Sequence, residues 1–212
     1  MRSLVRIPRL YPLTDTEISG LSHAEQVRRL AAGGATFIQL RDKKRAPRSF
    51  YEAAKEALAA GRELGAKILI NDRVDLCLAL GADGVHLGQD DLNPVEARKI
   101  LGDKALIGFS THNLTQIAEA LNFPIDYLAI GPIYATSSKE RPDPVVGTAL
   151  LREVKAALGD IPLVAIGGIT PTTARDVIDA GADSVAMISA LLVPANTLTQ
   201  RAKELLHTLP AV

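Results

Sequence analysis

Eight short apolar runs recur along this chain, and a longer amphipathic segment separates each from the next. The runs are RLYPLTD (9–15), TFIQLRDK (36–43), KILINDR (67–73), GVHLGQ (84–89), ALIGFSTH (105–112), DYLAIGPI (126–133), PLVAIGG (162–168) and SVAMISA (184–190). Their length and β-branched content read as strands. The stretches between them, such as RSFYEAAKEALAAGRELG and GTALLREVKAALG, repeat apolar residues at helical spacing. Strict alternation of strand and helix implies right-handed crossovers and a parallel sheet covered on both faces. Eight such units predict an α/β protein with a closed (β/α)8 TIM barrel, residues 1–212 forming a single domain, and 212 residues falls near the lower end of that class. An open doubly wound sheet is the alternative, but the G-x-G-x-x-G turn expected of it is absent.

A weak internal echo supports equivalent units. Gly33-Gly34-Ala35, Gly81-Ala82-Asp83-Gly84 and Gly181-Ala182-Asp183-Ser184 share the order helix, Gly, Ala, polar residue, strand. The pattern predicts a common turn chemistry at the bottom of the barrel, with Gly as helix C-cap, serving stability rather than function.

Composition narrows the partners. Lys plus Arg and Asp plus Glu both number 24, so no global charge favours nucleic acid or an acidic membrane surface. No run approaches the ~20 apolar residues needed to span a bilayer. The opening MRSLVRIPRLYPLTD is interrupted at Arg6 and Pro8, so no signal peptide is expected. The lone Cys77, inside VDLCLAL, reads as a small buried hydrophobe and suits a reducing cytosol. A cytoplasmic protein acting on small molecules, without nucleic acid or membrane partners, is the expectation. Closed barrels often form symmetric homo-oligomers, which stays open because nothing in the sequence marks an interface.

Function in a barrel collects where strands end. The third run delivers Asn71, Asp72 and Arg73, and the fourth delivers Gln89, Asp90 and Asp91. Adjacent parallel strands put both sets at one edge, so two carboxylates face a volume that a cation or a proton must neutralise. The second run ends in Gln39, Arg41, Asp42 and Lys43, followed by Lys44, Arg45 and Arg48. Cations beside paired carboxylates make sense if an anion such as diphosphate bridges them to a metal on Asp72 and Asp91. Ser110, ending the fifth strand, has a hydroxyl for a phosphate oxygen, while Asn113 or Thr111 would cap the next helix. His112 has no second histidine at a ligand spacing, and His86, alternating within a strand, reads as a core or supporting histidine.

A second anion site is expected near the last three strands. Tyr134–Lys139 form a loop of hydroxyls ending in an ammonium, and the Pro-rich ERPDPVVG after it suggests a lid over 134–147. Gly167 and Gly168 let backbone approach a ligand, Thr170 and Pro171 occupy N-cap and first-helical positions, and Ile188-Ser189-Ala190 opens a short helix.

These residues resemble the thiamine phosphate synthase family. The matching motifs are QLRDK (39–43), NDRVDLCLALGADGVHLGQDD (71–91), GFSTHN (108–113), DYLAIGPIYATSSK (126–139), AIGGIT (165–170) and GADSVAMIS (181–189), in the family's order across nearly the whole chain. The resemblance implies a (β/α)8 barrel transferase that joins a pyrimidine methyl diphosphate to a thiazole phosphate, carboxylated or aromatic, and releases pyrophosphate. It implies pyrimidine diphosphate binding by Gln39, Leu40, Arg41, Asp42, Lys43, Asn71, Ser110 and Lys139, of which Arg41, Lys43, Ser110 and Lys139 serve the chemical step. It further implies Mg²⁺ at Asp72 and Asp91, and thiazole phosphate binding by Thr136, Ser137, Ser138, Gly168, Ile188 and Ser189. Asp42 stands where the family often has Glu, and Ser138 where it often has Thr. A related thiazole tautomerase is the alternative enzyme, for which the metal carboxylates would be missing and a His would stand in the strand-six loop. A non-catalytic barrel that binds thiamine precursors is the alternative outside catalysis.

Overall fold

The computed structural model describes residues 5–136 and 143–210. Its strands are β1 (Leu10–Thr14), β2 (Phe37–Leu40), β3 (Lys67–Asn71), β4 (Gly84–Leu87), β5 (Leu106–Thr111), β6 (Tyr127–Ile130), β7 (Leu163–Ile166) and β8 (Ser184–Met187). Every strand pairs in parallel with its sequence neighbour, and β1 pairs with β8 to close the barrel. The helices are α1 (Thr16–Ser19), α2 (His23–Ala32), α3 (Pro47–Glu63), α4 (Val74–Leu80), α5 (Pro94–Leu101), α6 (Leu114–Ala120), α7 (Gly147–Leu158), α8 (Ala174–Asp179), α9 (Ser189–Leu192) and α10 (Leu198–Thr208). None among the described residues is long and apolar enough to cross a membrane.

All eight expected strands form, each shorter than its apolar run. Arg41, Asp42 and Lys43 therefore leave the sheet and belong to the loop after β2. The α1 turn, unforeseen in the sequence, is opened by Asp15, whose Oδ1 accepts from the amides of Glu17 and Ile18. Thr170 and Pro171 do not open α8. They form a preceding turn in which Thr170 O accepts from Thr173 N and Ala174 N, and the helix starts at Ala174. Asn113, not Thr111, caps α6, accepting from Gln116 N; Thr111 Oγ1 instead donates to Ala129 O at 2.9 Å.

Side chains alternate across each strand. Leu10, Ile38, Leu40, Ile68, Ile70, Val85, Ile107, Leu128 and Val185 pack outward in the layer shared with the helices. Tyr11, Leu13, Phe37, Leu69, Leu106, Tyr127, Ala129, Val164 and Ala186 fill the barrel itself. The interior is aromatic at its centre: Tyr11 meets Phe37 edge-on at 4.7 Å and Tyr127 at 5.9 Å, and His86 stacks on Tyr127 at 5.5 Å. Tyr127 gets there because it lies across Gly108, its register partner on β5. A Cβ on Gly108 would fall 2.0 Å from Tyr127 Cζ. Gly108→Ala is therefore expected to destabilise the barrel by roughly 1–3 kcal/mol through overpacking. Urea unfolding checks this, and a wild-type midpoint would contradict it.

The repeated turn resolves into a repeated hydrogen bond. Asp83, Asp126 and Asp183 immediately precede β4, β6 and β8, and their Oδ2 atoms accept from Ile68 N, Ile107 N and Leu163 N at 2.7–2.8 Å. Their own amides donate back to the same three residues' carbonyls. Each aspartate thus satisfies the start of the preceding strand, where the ladder has no other donor or acceptor. Glycine is the C-cap of α2 at Gly33, right-handed, and of α4 at Gly81, left-handed, whereas α8 is capped by Ala180.

Candidate active site

A cavity of about 660 Å³ opens at the carboxyl-terminal ends of the strands. The outcome of alternation is visible in its floor. Gln39, Asn71, His86 and Ser110 share the inward parity of Phe37, Leu69 and Leu106 on their strands, and all four line the cavity.

Leu40 has the opposite parity. Its side chain is fully buried in the layer beneath the helices and does not line the cavity. Asp42 is likewise turned away. Its Oδ1 accepts from the amides of Lys44 and Arg45, and its Oδ2 meets Arg45 Nε at 2.9 Å and His23 Nε2 at 3.3 Å. It shapes the loop instead of reaching the cavity. The cationic run is split in the same way, with Arg45 on Asp42 and Lys44 on Glu17 at 2.9 Å.

Arg41 and Lys43 do line the cavity. Arg41 Nη1 donates to Asp15 Oδ2 at 2.8 Å, so the residue that caps α1 also aims the guanidinium. Asp15 was not legible as a support for Arg41, because the short helix it caps was itself unforeseen. Lys43 Nζ meets Asp72 Oδ2 at 2.6 Å. Asp72 follows the end of β3 with a φ of 62°, a left-handed conformation that aspartate tolerates better than most residues. Asp91, across the edge in the loop after β4, accepts from Gly88 N at 2.7 Å. Burial first, and then the negative charge of Asp72, hold the Asp91 carboxyl above the usual carboxylate range.

That electrostatic state tests the fit of a metal. Among the described residues, two carboxylates share one volume with the Lys43 ammonium, and no group of three or more His, Cys, Asp or Glu gathers. A hard divalent cation held by one or two carboxylates, with phosphate oxygens completing its shell, matches that donor set.

On the far side, Thr136, Gly168, Ile188 and Ser189 line the same cavity. Gly168 has a φ of 65°, and a Cβ there would lie 2.5 Å from Ala135 O. The loop after β6 is zipped to the end of β7, with Ile133 N donating to Ile166 O and Tyr134 N to Gly167 O. Ser137, Ser138 and Lys139, and with them the centre of the suggested lid, lie outside the described residues. His112 lines the cavity with Nδ1 donating to Gly131 O at 2.6 Å and Nε2 3.5 Å from Asp143. Asp90 lies exposed at the rim.

Two histidines are buried here. Burial pushes His86 down to about 4 and lowers His23 as well. The unfolded chain binds protons near pH 6.5 that the folded chain refuses, so these groups carry no penalty above that pH and a growing one as pH falls toward 4. His86 alone is worth about 3 kcal/mol across that window. Urea midpoints should therefore drop between pH 7.5 and 4.5, and the slope should flatten in His86→Gln; equal slopes would contradict the assignment.

A closed (β/α)8 barrel with one mixed-charge cavity at its carboxyl-terminal mouth defines a barrel enzyme. The family model described as thiamine monophosphate synthase matches residues 10–191. A thiamine-phosphate synthase of Koribacter versatilis is 47% identical, with 99% of each chain covered, and one of Chloroflexus aurantiacus is 42% identical, with 93% of this chain and 90% of that one covered. The structure of a thiamine phosphate pyrophosphorylase from Pyrococcus furiosus superposes with a TM-score of 0.83 at 36% identity, covering 93% of both chains. The chain belongs to the thiamine monophosphate synthase family and is a transferase.

Proposed function

We propose that this barrel couples a pyrimidine methyl diphosphate to a thiazole phosphate, giving thiamine phosphate and pyrophosphate by a dissociative substitution. One observation carries the reading: a single cavity joins Arg41, Lys43, Asp72, Asp91 and Ser110 at one end to Thr136, Gly168 and Ser189 at the other. Such a cavity suits two anionic ligands lying end to end.

Little acid–base machinery is needed. As diphosphate leaves the pyrimidine methyl carbon, negative charge builds on its bridging oxygen, and the electron-rich ring stabilises the cation left behind. Arg41, held by Asp15, and Lys43 are positioned to meet that charge, and fixed charges act without reorganising at the moment of reaction. Ser110 donates a hydrogen bond to the same group, and Lys139, outside the described residues, is the further cation that the family resemblance implies. Mg²⁺ held by Asp72 and Asp91 would supply Lewis-acid stabilisation of the departing diphosphate. Thr136, Ser137, Ser138, Gly168, Ile188 and Ser189 hold the thiazole phosphate so that its ring nitrogen faces the methyl carbon, which replaces a bimolecular encounter by positioning.

Purified protein mixed with both substrates and Mg²⁺ should yield thiamine phosphate and pyrophosphate in equal amounts. Absence of product at saturating substrate would sink the proposal.

A further inference from the structure

His23 opens α2 and stands behind the cavity wall, with a fully buried side chain that does not line the cavity. It is wedged between the ends of two neighbouring strands. Nδ1 lies 2.7 Å from Thr14 Oγ1, at the end of β1, and Nε2 lies 3.3 Å from Asp42 Oδ2, in the loop after β2. The Phe50 ring of α3 packs on the imidazole with 5.6 Å between centroids.

A buried imidazole with a partner at each nitrogen has a definite tautomer. Burial lowers His23, against the hydrogen bond and charge of Asp42, so the ring is neutral at neutral pH. Burial raises Asp42, but hydrogen bonds from the Arg45 amide, His23 and the Arg45 side chain outweigh it and hold the carboxyl below the usual carboxylate range. An ionised Asp42 can only accept, so the His23 proton sits on Nε2 and donates to Oδ2. Nδ1 is then bare and accepts the Thr14 hydroxyl proton.

Asp42 is the centre of the turn that follows β2. Its Oδ1 gathers the amides of Lys44 and Arg45, and its Oδ2 takes Arg45 Nε at 2.9 Å. On either side of it in sequence stand Arg41 and Lys43, which line the cavity while Asp42 does not. Holding the middle side chain behind the wall sets the directions of the two beside it. Arg41 N also donates to Thr14 Oγ1 at 3.4 Å. The contacts therefore close a ring, from Arg41 to Thr14, to His23, to Asp42, and back through the peptide bond to Arg41.

We infer that His23 is a positioning residue for the diphosphate end of the cavity: through Asp42 it fixes the turn that aims Arg41 and Lys43 at the anion. This rests on the function proposed above and adds to that site a residue that touches no ligand. What separates His23 from an ordinary core histidine is the place of its partner, between two cavity cations. Opening the ring frees both cations at once, so a single buried substitution should weaken anion binding without reaching the thiazole end.

The test is calorimetric binding of inorganic pyrophosphate, with Mg²⁺, to the full chain. His23→Phe keeps a ring against Phe50 and removes both hydrogen bonds, and its dissociation constant is expected to rise about tenfold, the worth of roughly one hydrogen bond. His23→Gln, which restores an N–H donor toward Asp42, should recover most of that loss. In an Asp42→Ala background, His23→Phe should weaken binding no further, because its effect runs through Asp42. Should His23→Phe not fold, Asp42→Ala alone is expected to raise the constant at least as far. In turnover, KM for the pyrimidine diphosphate should rise while KM for the thiazole phosphate stays put. An unchanged pyrophosphate constant in the folded variant, whatever its urea midpoint, is what a merely structural role gives and would overturn the inference. A further tenfold loss in the Asp42→Ala background, an equal rise in both KM values, or a wild type that binds no pyrophosphate would do the same. Wild type that binds pyrophosphate but forms no thiamine phosphate would instead count against the proposed reaction, and the binding constants would still be read.

Discussion

Replacing Asp91 by Asn is expected to lower kcat by on the order of 10²–10³-fold, the usual cost of losing one charge-stabilising group. Stability should hold or rise. The carboxamide oxygen can still accept from Gly88 N, and the folded state already disfavours the charge, since burial and Asp72 hold the Asp91 carboxyl above its ordinary range. Removing a charge the fold resists, while keeping its hydrogen bond, separates function from folding. Steady-state rates across a Mg²⁺ series together with a urea melt check both halves. An unchanged rate would refute the proposed metal role, and a collapsed melt would mean that Asp91 is structural.

Gly168→Ala should cost activity at the other end of the cavity. Its φ of 65° strains any side chain, and the new Cβ would meet Ala135 O at 2.5 Å and Tyr134 O at 2.7 Å. Neither backbone oxygen can swing aside as a side chain would. The segment carrying Thr136 must shift, and a displacement near 1 Å in a positioning loop costs roughly 10²-fold. Gly181→Ala is the control. It has a φ of 111°, but its Cβ would meet only the Lys155 side chain at 3.2 Å, at the opposite face of the barrel. Both variants should lose stability, while only Gly168→Ala should lose turnover. Equal activity in the two would remove Gly168 from the site.

Much of the cavity's lining was readable in advance because strand ends are readable. The polar residues that terminate apolar runs emerge at one edge once the strands are parallel, and Gln39, Arg41, Lys43, Asn71, Asp72, Asp91 and Ser110 all line one cavity. Two members of the motif fall outside that lining for one reason. Leu40 and Asp42 were grouped with their neighbours as one contiguous motif, and a motif does not respect alternation. One residue along a strand turns a side chain from the cavity to the helix layer, as Leu40 shows beside Gln39. Lys44 and Arg45 were counted as free cations because their partners, Glu17 and Asp42, are chosen by how the loop folds back.

The sequence by itself determined the eight alternating units, their parallel closure and the edge at which the polar residues collect. Those properties rest on periodicities that repeat within a few residues, so a local reading recovers them. The tertiary structure decided which of these residues act together. Tyr11 and Tyr127 are 116 positions apart, and their hydroxyls meet only because the closed barrel brings β1 and β6 across its interior. Nothing within either strand indicates that meeting. Asp15 reaches Arg41 across 26 positions for the same reason. Side-chain partners separated by that much chain depend on the whole arrangement of strands, and only the folded barrel supplies it.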